Sequence, residues 1–392
     1  MPLALYSLAL AVFVMGTSEF MLAGLIPAMA TELGVSVGTA GLLTSTFAVG
    51  MVIGAPLLTA LSRRWPARST LILCILMFAT THVIGALTSA FSLLLATRVI
   101  SAFANAGFLA VALGTATNLV PPHRKGRALS ILLAGTTVAT VVGVPAGALL
   151  GTALGWRTTF WAIAILCLPA AFGVLRGVPD TTDGAATKTS SPGLRAEFRQ
   201  LATPRLIVAM ALGALINGAT FAAFTFLAPI VTENAGLADA WVSVALVVFG
   251  IGSFLGVTTA GRLSDQRPGA VLAVGGPLLL AGWIVLAMVS SHPVALLALI
   301  FVQGFLSFAV GSTLITRVLY AAAGAPSMGG SFATAALNVG AAAGPMLGAF
   351  GLATGLGTLA PVWVGSALTA VALVIMALCR RDLTERPDQT AA

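Results

Sequence analysis

One acidic residue stands inside the first long apolar run of the sequence. Glu19 lies in the stretch GTSEFMLAGLIPAMA, residues 16–30, where every neighbour is apolar or small. A charge at the centre of a bilayer costs about 2.5–3.5 kcal/mol on the insertion scale, and such residues often belong to proton relays or ion pathways. A neutral Gln would anchor helix packing at lower cost, so the residue type favours proton binding over a structural role.

A second buried charge, Arg98, is predicted at nearly the same depth. Arg98, Ser101 and Asn105 are spaced i, i+3 and i+7 and therefore share one helix face, which in a membrane helix turns towards the bundle interior or a wet cavity. At about 1.5 Å per residue, Glu19 lies about 22 Å above the inner end of its helix and Arg98 about 10 Å below the outer end of its own. In a core about 30 Å thick these depths nearly coincide. Arg98 can therefore form a salt bridge with Glu19, or else anchor backbone carbonyls.

Neutral polar and aromatic side chains supply the other candidates for a cavity. Three amides can line it or join helices by hydrogen bonds: Asn217, Gln303 and Asn338. Four phenylalanines can form aromatic walls, although Phe also faces lipid: Phe20, Phe221, Phe224 and Phe226. The three His and three Cys residues show no metal-ligand, catalytic or disulfide spacing, so no metal site or cofactor is expected.

Long apolar helices must position these residues. Of the 392 residues, 58% are hydrophobic and 8% charged, with a mean hydropathy of +1.05, whereas soluble domains carry about 25% charged residues. Apolar runs of about 20 residues, enough to cross a bilayer, recur from end to end. The sequence predicts an all-α integral membrane protein with twelve transmembrane helices at roughly 4–30, 40–61, 70–90, 92–117, 128–150, 157–178, 205–231, 241–260, 270–290, 294–318, 328–352 and 359–379.

The net charge of +8 is distributed as in a multi-pass membrane protein. With both termini placed in the cytoplasm, basic residues fall in the inner segments 63–69, 121–127, 179–204 and 262–269 and in the tail. The outer loops hold Glu32, Glu233 and Asp239, and Arg157 is their only base. This asymmetry follows the positive-inside rule. The excess of basic residues therefore reflects the orientation of the chain in the membrane, and nucleic acid is excluded as a partner.

The two halves of the chain resemble each other at an offset of about 202 residues. Gly16, Pro27 and Gly34 of the first helix recur as Gly218, Pro229 and Gly236 of the seventh. The repeat predicts two pseudo-symmetric six-helix bundles, with a site between them near the bilayer midplane. The predicted parts are a bundle at 1–178, a cytoplasmic linker at 179–204, a second bundle at 205–379 and a cytoplasmic tail at 380–392.

Two motifs carry a resemblance to a known family. The stretch GRLSDQRPG between the eighth and ninth helices contains Gly261 and Asp265, whereas the first-half copy TALSRRWPAR has Arg63 at the acid position and retains Arg64. The fifth helix carries GVPAG, with four residues of interest: Gly135, Gly143, Pro145 and Gly147. Over its whole length the sequence resembles the drug:proton antiporter branch of the major facilitator superfamily.

The resemblance implies a role for each motif. In that family an arginine in the fourth helix, here Arg98, is linked to proton coupling. The fifth-helix motif is linked to a bendable seam that seals the outer side, beside the simpler interpretation that its glycines pack helices closely. An acid in the loop motif is linked to gating, which would leave this role to Asp265 because the first half lacks it.

Several stretches, among them GTSEFMLAGLIP and ANAGFLAVAL, are similar to bacterial chloramphenicol-resistance exporters. This similarity implies proton-coupled efflux of chloramphenicol-like drugs across the cytoplasmic membrane by a functional monomer, whose partners are drug, protons and the lipid bilayer. Related exporters of sugars or purine nucleosides share some of these stretches and remain the alternative. One membrane acid with several amides agrees with a neutral cargo.

A membrane-embedded enzyme is disfavoured because the sequence has no nucleophile–base pair, metal cluster or phosphate loop. A passive channel is disfavoured because filter loops and charged rings are missing.

Overall fold

The chain folds into a helical membrane protein. The computed structural model describes residues 2–62, 65–121, 124–179, 194–266, 268–325 and 328–379, and no strand occurs among them. Twelve helices of the described residues are long and apolar enough to span a membrane, which confirms the predicted number. In chain order they are α1 Leu3–Gly24, α2 Val37–Leu61, α3 Ala67–Leu87, α4 Phe91–Asn118, α5 Arg127–Leu154, α6 Trp156–Gly177, α7 Pro204–Thr225, α8 Ala240–Ala260, α9 Gly269–Val289, α10 Pro293–Ala321, α11 Gly329–Ala353 and α12 Ala360–Leu378.

The first helix of each half is interrupted at a corresponding place. In α1 the α-helical part ends at Phe20, and a 3₁₀ turn over Met21–Gly24 leads into a short helix, Ile26–Leu33. After α7 the chain continues through the short helix Leu227–Pro229 and a π-helical turn. Both segments end at a glycine in the left-handed region, Gly34 and Gly236, each with φ of 64°. The backbone therefore reproduces the repeat seen in the sequence, and glycine is required at both ends.

A π-helical turn also interrupts α5. It spans Ala139–Gly143 and separates two α-helical parts, Lys125–Val138 and Val144–Leu154. Pro145 lies in the first turn of the second part, where its missing N–H removes one hydrogen bond to the preceding turn. Such a local rearrangement is a known cause of helix bending.

Each half of the molecule has its own core. One cluster of buried apolar residues is drawn from the segments of α1–α6 and contains the large side chains of Phe78, Phe108 and Trp156. A second cluster is drawn mainly from α7–α12 and includes Trp283. The second cluster also takes in Ala23, Val144 and Ala148 of the first half. The two bundles therefore meet through α1 and α5.

Close contacts between the bundles also run along α2 and α11. A methyl group on Gly38, at the start of α2, would lie 3.3 Å from the carbonyl oxygen of Ala349. At the other end of the same pair of helices, the hydroxyls of Ser331 and Thr59 are 2.8 Å apart. The two helices therefore contact each other over the full length of α2.

The linker is described only in its second part. A short helix, Leu194–Arg199, packs against the start of α11, where the fully buried Glu197 accepts a hydrogen bond from the backbone N–H of Met328 at 3.0 Å. Phe198 lies beside Phe332 with ring centroids 6.2 Å apart. Residues 180–193 and the predicted tail 380–392 lie outside the described residues, so the predicted bounds of linker and tail stay a prediction.

Candidate functional site

A chain of buried polar groups crosses the first bundle between α1, α3 and α4. Arg98, which is 1% exposed, donates from Nη1 to the hydroxyl of Ser18 at 3.0 Å and from Nη2 to the carbonyl oxygen of Ser18 at 3.2 Å. Its guanidinium also lies 4.4 Å from the centre of the Phe47 ring. The arginine is thus held on the residue that immediately precedes Glu19.

His82 extends this chain in one direction. Its Nδ1 lies 2.7 Å from the carbonyl oxygen of Phe78, which can only accept, so Nδ1 carries the proton. In the neutral ring Nε2 is then the acceptor, and it receives the Ser18 hydroxyl proton over 2.6 Å. Hydrogen bonds therefore run from Arg98 to Ser18, from Ser18 to His82 and from His82 to Phe78. Sequence analysis assigned no site role to His82, because a lone histidine shows no metal-ligand or catalytic spacing.

Glu19 lies at the edge of the polar chain and is partly exposed. Its Oε2 accepts a long hydrogen bond of 3.4 Å from Nδ2 of Asn105, one of the residues on the predicted polar face of α4. Ser101 is buried and donates to the carbonyl of Arg98 in its own helix. Among the described residues no ion pair joins Arg98 to Glu19. Two alternatives were predicted for Arg98, a salt bridge with Glu19 and a hydrogen bond to a backbone carbonyl. The structure contains the second, to the carbonyl of Ser18.

An aromatic cavity lies at the interface of the two bundles, and its lining includes Phe20, which follows Glu19 in the chain. Nine residues from α1, α5, α7, α8 and α10 line it: Phe20, Thr140, Val144, Thr220, Phe221, Phe224, Leu246, Phe249 and Phe308. The rings of Phe20 and Phe221 are 5.7 Å apart, and those of Phe224 and Phe249 are 4.8 Å apart. The space left between them holds about one water molecule, so a drug-sized guest must push the rings apart.

Three of the predicted cavity residues line this space: Phe20, Phe221 and Phe224. Phe226 instead packs against α2 and α11, where Gly41 and Gly348 leave room for its ring. Sequence reasoning missed Phe249 and Phe308, because phenylalanine is common on lipid-facing surfaces and nothing in their spacing separates them from such residues.

The predicted amides bind backbone carbonyls. Asn217 donates to the carbonyl of Leu337 at 2.7 Å and so joins α7 to α11, and Asn338 donates within its own helix to Thr334 at 3.0 Å. Gln303 donates to the carbonyl of Leu279 at 3.2 Å. Asn217 and Gln303 therefore join helices, which was one of the two interpretations of these residues, whereas the Asn338 bond stays within α11.

The fifth-helix glycines lie within the first bundle. A methyl group on Gly135 would collide with the carbonyl of Ala9 in α1, and one on Gly143 with the hydroxyl of Thr17. Gly147 lies near Met21 and Thr159. These glycines therefore bring α5 against α1 and α6.

Contact between α5 and the second bundle is made by Gly250 of α8. A methyl group there would lie 2.6 Å from the carbonyl oxygen of Thr140. Of the loop-motif residues, Arg64 lies outside the described residues. Gly261 and Asp265 lie on a helical extension of α8 that reaches Gln266, and the side chain of Asp265 is outside the described part.

Comparison with known proteins places this architecture among transporters. A family model described as Major Facilitator Superfamily matches residues 8–329 and 210–392. A protein of Streptomyces lividans named chloramphenicol resistance protein is 65% identical over 375 residues, covering 96% of this chain and 95% of that protein. An uncharacterised transporter of this superfamily from Bacillus subtilis, YtbD, is 32% identical and covers 99% of this chain and 98% of its own.

A solved structure has the same fold. It is a bacterial homologue of the human lysosomal transporter Spinster in an inward-facing, unoccupied conformation, with a TM-score of 0.74 and 17% sequence identity. The match covers 97% of this chain and 96% of that one. At this identity the likeness extends to the fold alone.

Proposed function

Because the chain belongs to the major facilitator superfamily, we propose that it is a proton-coupled antiporter that exports chloramphenicol-like drugs from the cell and so confers resistance. The likeness to the Streptomyces lividans resistance protein along almost the whole chain carries the proposal. The aromatic cavity agrees with it, because stacked phenylalanines suit a nitrophenyl ring. The cavity lining also contains no charged side chain, which suits an uncharged cargo.

In the proposed arrangement the protein is a monomer in the cytoplasmic membrane with both termini in the cytoplasm. Drug enters the interface between the bundles and spreads the rings beside Phe20. Glu19 carries the coupling proton, since it is the membrane acid next to that ring. Drug arriving from the cytoplasm displaces the proton, and drug leaving on the outside lets Glu19 bind another before the empty carrier returns.

Arg98 favours release of the proton without competing permanently for the carboxylate. Its guanidinium is anchored on the residue that immediately precedes Glu19, and both of its amino groups are committed to Ser18. A modest change in this anchoring, or in the hydration around Glu19, then changes how firmly the proton is held.

One proton charge per neutral drug provides a useful gradient. Moving one charge across 100 mV supplies about 2.3 kcal/mol. At about 1.4 kcal/mol per factor of ten, this free energy supports a drug gradient of about 40-fold.

The test is transport by purified protein in vesicles with an imposed pH gradient. We expect chloramphenicol to move against the proton flux in wild type. Glu19→Gln, which resembles the protonated acid, should still bind drug but lose gradient-driven transport. Glu233→Gln provides the matched control, because Glu233 lies in the π-helical turn outside the aromatic cavity.

Two outcomes would contradict the proposal. Full gradient-driven transport by Glu19→Gln would remove Glu19 as the proton carrier. Transport of sugars or nucleosides but not of phenicols by the wild type would assign the protein to the alternative cargo.

A further inference from the structure

A second cavity lies inside the second bundle, directly behind the aromatic cavity. Its lining comes from α7, α8, α9, α10, α12 and the segment after α7, and it includes Phe224, Phe249, Trp283 and Gln303. Phe224 and Phe249 line both cavities. These two rings therefore form the wall between the two spaces.

Two polar atoms of this lining have no hydrogen-bond partner among the described residues. They are Nε1 of Trp283, a donor, and Oε1 of Gln303, an acceptor. Trp283 is 2% exposed and Gln303 1% exposed, so water outside the protein does not reach them. A buried polar group left unpaired is destabilising, which is a reason to expect an occupant that pairs with both.

The orientation of the Gln303 amide is fixed by its surroundings. Its nitrogen donates to the carbonyl of Leu279, which cannot donate in return, so the uncommitted atom is the oxygen. That oxygen lies 2.6 Å from the position that a methyl group on Gly282 would occupy. Glycine at 282 therefore makes room for the amide oxygen, and Trp283 follows it directly in α9. The acceptor reaches across from α10 to the residue that precedes Trp283 in α9, so the donor and the acceptor come from two packed helices that both line the cavity.

We propose that this second cavity is a polar subsite for cargo, taking a hydroxyl or a secondary amide group. Such groups offer one oxygen to accept from Trp283 and one proton to donate to Gln303, and a hydroxyl is the smaller of the two. The space in the cavity holds about one water molecule, which is the size of a hydroxyl group. The proposal rests on the proposed function. It assigns a binding place to the part of the drug that the aromatic cavity does not accommodate.

Entry to the subsite requires movement of the shared wall. When Phe224 and Phe249 part, the two cavities join into one elongated site. An aromatic ring then occupies the space near Phe20 and Phe221, while a hydroxylated end reaches Trp283 and Gln303. A phenicol, which has a nitrophenyl ring at one end and hydroxyl and amide groups beyond it, matches this order.

The test compares three probes binding to purified full-length protein. The probes are chloramphenicol, its derivative with both hydroxyls O-methylated, and its derivative with the amide N-methylated. Loss of one buried hydrogen bond of about 1.4 kcal/mol weakens binding about tenfold. In wild type, chloramphenicol should bind about tenfold more tightly than at least one of the methylated probes.

In Gln303→Met that preference should fall to less than threefold, because the acceptor is gone. Trp283→Phe is the second variant, and it keeps the proposal testable where the first does not fold. Ser366→Ala is the control: its hydroxyl is buried in α12 of the same bundle but donates to Val362 of its own helix. It should leave the preference unchanged.

An unchanged preference in both cavity variants, with wild type binding all three probes, would identify the cavity as the place of a structural water and overturn the subsite. The proposed function would survive that result. Failure of wild type to bind any of the probes would overturn both.

Discussion

Removing the hydroxyl of Ser18 should disable the protein more than the size of the change suggests. Ser18→Ala removes the acceptor for Nη1 of Arg98 at 3.0 Å and the donor to His82 at 2.6 Å. Ser18 is 0% exposed, and Arg98 and His82 are each 1% exposed, so water cannot replace either bond without repacking. The variant leaves a buried guanidinium and a buried imidazole each short of a partner.

The magnitude follows from these two bonds. A hydrogen bond to a charged group contributes about 1.5–3 kcal/mol in soluble proteins, whereas bonds between membrane helices average about 0.6 kcal/mol and reach about 1.7 kcal/mol. Loss of two bonds, one of them to a charge, should therefore lower the free energy of unfolding by about 1–3 kcal/mol. Gradient-driven export should fall as well, because the guanidinium is then held only through Nη2 on the backbone carbonyl of residue 18, and its unpaired Nη1 can compete with the proton for the Glu19 carboxylate.

A neighbouring hydroxyl provides the matched control. Thr17 is also buried in α1, but its hydroxyl donates to the carbonyl of Phe13 in its own helix. Unfolding of both variants is followed in mixed micelles by denaturant titration, and export is measured in vesicles. Thr17→Ala should lower stability less than Ser18→Ala and leave export unchanged, because the Thr17 hydroxyl bonds only within α1. If Ser18→Ala matches Thr17→Ala in both measurements, the polar chain contributes nothing and the reasoning is wrong.

Four further predictions concern other parts of the molecule. Gly340→Ala should destabilise the protein by about 1–3 kcal/mol, because the added methyl group meets the backbone of α7. Gly311→Ala has open space around it and should not destabilise the protein, and denaturant titration compares the two variants. Arg157→Ala should cost about 1 kcal/mol by the same measurement, since Arg157 pairs with an exposed carboxylate but also donates to a backbone carbonyl. Arg98→Lys should export poorly in vesicles because an ammonium cannot bind two acceptors as a planar guanidinium does. Lys125→Cys, introduced into a variant from which the three native cysteines have been removed, should resist impermeant thiol reagents added outside intact cells. Ready labelling would reverse the proposed orientation.

The helices and the proximity of Glu19 to the fourth helix could be predicted from sequence. Spans were predictable because the bilayer requires long apolar helices with internally satisfied backbones. The depths of Glu19 and Arg98 could be counted from the helix ends, and the structure does bring α1 and α4 together there. Counting gives height along the membrane normal but not the direction of a side chain. Hence Asn105, not Arg98, donates to Glu19.

The partners of small polar residues could not be predicted. Thr17 and Ser18 are adjacent hydroxyl residues of one helix, yet one bonds within that helix and the other joins α1 to α3 and α4. The glycines present the same difficulty. Gly143 and Gly250 both leave room for a neighbouring helix, but only the packed structure distinguishes a contact within a bundle from one between bundles. Small side chains indicate where another helix can pack closely, but they carry no information about which helix packs there.

Three consecutive residues connect the parts of the proposed cycle. Ser18 anchors Arg98, Glu19 is the proposed proton carrier, and Phe20 lines the cavity between the bundles. They occupy the last turn of the α-helical part of α1, immediately before the 3₁₀ turn over Met21–Gly24. A guest that pushes Phe20 aside therefore acts on a backbone segment whose next residues are not held by regular α-helical bonds. Displacement of the ring changes the position of Glu19 relative to the guanidinium anchored one residue earlier, and this short covalent connection is the structural basis we propose for coupling drug to proton.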